Sequence, residues 1–188
     1  MSDRLSPKDK LEVMMSAGGK LGDAYRPHGH FDIRCLDNAG TVLWEDGFDN
    51  ILPTVGLDQL LSAGAASSAT YMGLISSVGY SALVAGDTMA SHTGWNEVAN
   101  SGTNTPPYGT VRPTVTWSTP AGGIINAGTS SFVFIGSGTV EGGFLTNGSG
   151  ASATVGATTG VLFSEGTLAT AQPVISGNTL QMTYTLTL

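Results

Sequence analysis

At the end of the chain apolar and polar side chains alternate: Leu180, Met182, Tyr184, Leu186 and Leu188 fall on one face of an extended strand, with Gln181, Thr183, Thr185 and Thr187 on the other. This period of two predicts a strand over Thr179 to Leu188 with one face in the core, burying Tyr184 and Leu186. Phe31, Ile33 and Cys35 repeat the pattern. The turn residues Asp37, Asn38, Ala39 and Gly40 follow, then Thr41 to Trp44, which together predict a hairpin. Further strands are predicted at Tyr71 to Ile75, Arg112 to Trp117, Ser131 to Ile135, Thr139 to Leu145 and Gly160 to Ser164. About eight short strands joined by loops of unequal length point to an all-β fold, a jelly-roll or Greek-key β-sandwich.

Two short helical patterns interrupt the strands. Ser6, Pro7 and Asp9 supply a cap, a first-turn proline and an acidic group, and Leu11, Met14 and Met15 then share a stripe before Gly18-Gly19. A helix of about two turns does not persist alone. Residues 1 to 30 therefore read as a docking arm and residues 31 to 188 as the sandwich body, with 22 to 29 as irregular linker. The second pattern opens at Pro53-Thr54, groups Leu57, Leu60 and Leu61, and stops at Gly64. Between Ser76 and Pro107 lies one long loop, in which Asp87 to His92 are predicted to form a helical turn capped by Asp87.

Charge divides the chain at the same place. Six of its seven basic residues are Arg4, Lys8, Lys10, Lys20, Arg26 and Arg34, and beyond Arg34 only Arg112 remains against nine acidic residues. An acidic body of this kind does not neutralise phosphates, so no nucleic-acid partner is expected. Charged residues make up 11% of the chain, against about 25% in ordinary soluble domains. Small residues replace them: Gly, Ala, Ser and Thr fill 49 of the 88 positions from Ser101 on. Such a surface has little side-chain entropy to lose when covered, which favours a place in an assembly. Neither an apolar leader in Met1 to Lys10 nor a membrane-length apolar run is present, so synthesis in a cytoplasm and no membrane partner are expected. Cys35, the only cysteine, reads as a small buried hydrophobe.

Candidate chemistry is sparse. His28, His30 and Asp32 project to one side of an extended chain and are metal-ligand types, but a closed structural zinc site needs four ligands. Glu45, Asp46 and Asp49 form an acidic turn without the spacing of an EF-hand loop. No serine sits in a GxSxG elbow, and Gly18-Gly19-Lys20 lacks the rest of a phosphate loop. No cofactor, no metal and no catalytic activity are expected.

Several stretches taken together carry a resemblance. They are Trp44-Glu45 with Asn50, Gly56-Leu57, Leu60-Leu61, Tyr71-Met72-Gly73-Leu74, Asp87 to His92 with Gly94-Trp95 and Glu97, Arg112-Pro113, Gly142-Gly143-Phe144 and the alternating terminal strand. From Phe31 to Leu188 the chain resembles a family of tailed-phage virion proteins that includes jelly-roll capsid cement, or decoration, proteins. The resemblance implies a non-catalytic protein on the outer capsid surface with the major capsid protein for a partner, and the low-charge surface of short side chains adds sister chains, as a dimer or trimer. Expected partner contacts are Leu11, Met14 and Met15 on the arm and Met89, His92 and Trp95 on the long loop, with Trp95 as a plug for its own sandwich the equal alternative. Two other readings remain open: a tail or fibre component that stacks Trp95 and Trp117 on a host glycan, and a polysaccharide-degrading enzyme using body carboxylates.

Overall fold

Two four-stranded antiparallel sheets pack face to face in the computed structural model, which describes residues 27–62, 64–66, 68–99 and 106–187. The strands are β1 (His28–Leu36), β2 (Val42–Asp49), β3 (Tyr71–Ser76), β4 (Asn96–Glu97), β5 (Ile124–Val133), β6 (Gly138–Asn147), β7 (Val161–Val174) and β8 (Thr179–Thr187). One helix, α1 (Thr54–Ser62), lies between β2 and β3. Sheet A has the order β2-β1-β8-β5 and sheet B the order β4-β3-β6-β7. The all-β sandwich expected from the sequence is therefore present. Residues 1–26 of the arm, with Leu11, Met14 and Met15, lie outside the described residues, and the last three residues assigned to it, His28, Gly29 and His30, belong to β1 instead.

The alternation in β8 determines the packing. Leu180, Met182, Tyr184 and Leu186 are all at most 1% exposed and meet Phe31, Ile33 and Cys35 of β1, with Met72, Leu74, Leu145 and Phe163 opposite in sheet B. Gly143 lets the sheets approach here, because a Cβ on it would stand 2.6 Å from the Met182 methyl. Strands β5 and β8 pair in sheet A, β6 and β7 pair in sheet B, and short turns carry 5 to 6 and 7 to 8 across the sandwich. That is one long two-stranded ribbon folded over the core.

The outer faces of the two sheets differ. Ile75, Phe144 and Leu162 point away from sheet A and form a second apolar cluster with Met89 and Trp95, which arrive from the 77–95 loop. Val55 of α1 joins the cluster, and the close seating of α1 requires Gly56, whose Cβ would meet the Phe163 carbonyl oxygen at 2.3 Å. Sheet B is thus covered by loop and helix, while the outer face of sheet A carries its polar side chains uncovered.

Several elements differ from expectation for identifiable reasons. Arg112 to Trp117 is not a strand; it makes single bridges, Val111 to Thr154, Tyr71 to Thr114 and Trp117 to Ala127, because Pro113 has no N–H for a ladder. Strand β5 starts at Ile124, not Ser131, and bulges between Ala127 and Ser130. Strand β7 runs on to Val174 through small polar residues. Asp87 to His92 forms no helical turn: Thr88 and Ser91 bridge one another in a tight turn. His28 and Gly29 belong to β1 rather than to a linker, while the hairpin, α1 and the stop at Gly64 (φ 80°) stand as expected.

Candidate binding face and the covered cluster

The outward residues of β1 and β8, with the adjoining strand β2, line an open concavity of about 700 Å³ on sheet A. Its floor holds His30, Asp32, Arg34, Gln181 and Thr183, and Glu45 and Asp46 rise along its rim. Cross-strand register places them: Asp32 lies opposite Gly47 and Thr183, and Arg34 opposite Glu45 and Gln181. The His30 imidazole is held between two carboxylates, with Nδ1 2.8 Å from Asp49 Oδ1 and Nε2 3.7 Å from Asp32 Oδ1. Gly47 leaves room for that ring, since a Cβ there would sit 2.7 Å from Nε2. Arg34 donates from Nε and Nη2 to Gln181 Oε1 at 2.8 and 2.6 Å. The face offers oriented donors and acceptors of both charges to a polar partner. His28, His30 and Asp32 do share one side of β1, yet among the described residues no group of three or more His, Cys, Asp or Glu is arranged to hold a metal ion.

The residues singled out on the long loop lie elsewhere, over sheet B. Met89 is 2% and Trp95 1% exposed, so neither side chain reaches a partner in this conformation. The expected contact through them is corrected by that burial: the indole plugs its own sandwich. His92 remains half-buried, stacked on the Trp95 ring at 3.8 Å, with Nδ1 3.0 Å from the Trp95 carbonyl oxygen. Trp117 is also half-buried and donates through Nε1 to Thr70 Oγ1.

Three polar constellations were not anticipated. Arg112 is fully buried against Glu97, joining the 111–121 segment to β4. Asn50 accepts from the Gly29 N–H and donates to Ser164 Oγ and Tyr184 Oη, which closes the sandwich between β1, β7 and β8. Asp87 accepts from Trp95 Nε1 at 3.2 Å and from the Val84 N–H at 3.2 Å, beside the carboxyl of Glu165. The first had a signal in the sequence, because a lone Arg in an acidic, Gly-rich body needs an acidic partner if it is buried at all. The other two join residues whose proximity only the fold creates.

Burial raises the proton affinity of several groups. The Cys35 thiol is pushed up by desolvation, as are the phenols of Tyr108 and Tyr184 and the carboxyl of Glu141. Glu165 is pushed up to about 8, first by desolvation and then by the neighbouring Asp87. Among the described residues no helix is long and apolar enough to cross a membrane. Comparison with family models, curated proteins and solved structures found no match for this chain.

Proposed function

We propose that this chain is a non-catalytic structural protein of a tailed-phage virion, a cement protein of jelly-roll type that sits on the outer head surface and bridges major capsid subunits. The observation that carries the reading is the inequality of the two sheet faces. A loop and a helix cover sheet B, whereas sheet A turns outward a bare, hydrogen-bonding concavity. That suits a module which docks by one side. The folded β5–β8 ribbon supports the jelly-roll description, and three carboxylates around sheet B are out of a substrate's reach: Glu97 is spent on Arg112, while Asp87 and Glu165 are buried. Partners on this reading are the major capsid protein and one or two sister chains, since repeated weak contacts on a shell gain from avidity.

The test is to add purified protein to expanded heads that lack it and to follow both bound protein and the temperature of DNA release. Saturable binding with a raised release temperature is expected. Reversing one floor charge and one rim charge with Asp32→Lys and Glu45→Lys should abolish binding without changing the protein's own Tm; wild-type protein that binds no heads would overturn the assignment.

A second reading, a tail or fibre component that binds a host glycan, draws on the same concavity, because carboxylate, imidazole and amide groups suit sugar hydroxyls. It is weakened by the burial of Trp95, which removes one of the two rings expected to stack on a sugar.

A further inference from the structure

Glu165 and Asp87 form a pair of carboxyl groups under the 77–95 loop. Glu165 projects from β7 on the outer face of sheet B, opposite Phe144 in the β6 register, and is 0% exposed. Asp87 comes from the loop itself and is 3% exposed. Around them stand the apolar side chains of Ile75, Met89, Trp95, Phe144 and Leu162. By geometry the Trp95 indole and the Val84 N–H donate to Asp87 and neither oxygen of Glu165 has a hydrogen-bond partner, while the nearby indole offsets only part of the rise in the proton affinity of Glu165. A buried carboxylate with no donor and another carboxyl beside it is strongly disfavoured, whereas a protonated one donates to its neighbour and satisfies both groups.

We propose that the 77–95 loop is held over sheet B by one proton shared between Glu165 and Asp87, and that loss of this proton loosens the cover and opens the Trp95 cluster. The loop is also tied by backbone bonds, Ser81 N–H to Gly94 O at 2.8 Å near its ends and Thr54 N–H to Ala85 O at 2.9 Å at its middle. Between those ties, buried Asp87 is held by the Trp95 indole at the loop's end, and Met89 enters the apolar cluster. Other charged or titratable groups on the surrounding elements are His92 and Tyr80 on the loop, Glu141 on β6, Asp49 on β2, Asp58 on α1, and Glu97 paired with Arg112. Asp87 is the charge that acts on Glu165. The direction follows from linkage. A carboxyl held above its ordinary 4.5 binds its proton more tightly in the folded state, so its contribution is complete below that value, declines as pH rises, and is gone above about 8.

Two measurements test this on the full chain. In wild-type protein, carbon-13 carboxyl NMR should give Glu165 a titration midpoint well above neutral; a midpoint in the ordinary glutamate range overturns the proposal. Glu165→Gln should donate to Asp87 without needing a proton. Wild-type Tm is expected to fall by roughly 3 to 5 °C per pH unit between pH 5 and 8 from this group, and the variant should lose that slope and melt above wild type at pH 8. Amide exchange of 77–95, corrected for intrinsic rates, should accelerate above pH 8 in wild type and not in the variant. A variant with the wild-type pH slope, or with the same loop exchange at high pH, refutes the shared proton.

Discussion

Arg112 and Glu97 meet edge to edge, Nε to Oε1 and Nη2 to Oε2, both at 2.7 Å, with the guanidinium wholly buried. The remaining donors of Arg112 reach the carbonyls of Ser152 and Ala157 at 2.9 Å, and Gly156 N–H donates to Glu97 at 2.7 Å. The pair thereby fastens the 148–160 loop to β4 and to the 111–121 segment. Its face also lies over Phe144 at 5.4 Å.

Removing one member leaves the other charge buried. Arg112→Met should lower unfolding stability by about 3–5 kcal/mol, and adding Glu97→Leu should restore much of it. Urea unfolding of the single and double variants measures both; an Arg112→Met protein as stable as wild type would show that the pair holds nothing together.

Trp95→Ala should lower stability by about 3–5 kcal/mol, the usual cost of emptying a buried aromatic site. His92→Ala, at the half-exposed edge of the same stack, should cost far less. Thermal melts of the two variants decide whether the indole is core, and an unchanged Tm for Trp95→Ala would return it to the surface.

Leu186→Asp should fail to fold or lose several kcal/mol, because β8 turns that position into the core at 1% exposure. A folded, equally stable variant would mean that the strand faces the other way.

Gly56→Ala improves helix propensity by about 1 kcal/mol on an exposed helix. In α1 it should instead destabilise by about 1–3 kcal/mol, because the added methyl meets the Phe163 carbonyl and forces the helix off β7. Equilibrium unfolding with a higher midpoint than wild type would contradict that seating.

The elements legible in the sequence are those whose apolar spacing is complete within the element. Strand β8 shows its period over nine residues, and the β1–β2 hairpin carries its own turn. Elements that take their burial from elsewhere were not legible: β5 and the far half of β7 are built of small polar residues and hold their register by pairing to β8 and β6. The 111–121 segment looks like a strand by composition, but Pro113 limits it to bridges. At the candidate sites the limit is the same. Met, His and Trp are enriched at interfaces and in cores alike, so residue type could not divide Trp95 between them. Glu165 and Asp87 lie 78 positions apart, and the outward floor of sheet A is shared between β1 and β8, so both depend on strand order.

The central claim, that this protein decorates a phage head through one face, is tested most directly by a cryo-EM map of the virion that carries it. The account predicts hundreds of copies on the outer head surface at capsid subunit junctions, with the His30, Asp32 and Gln181 face of sheet A against a capsid protein or a sister chain. Density confined to the tail or its fibres, or copies on the head with sheet A turned to solvent, would contradict it.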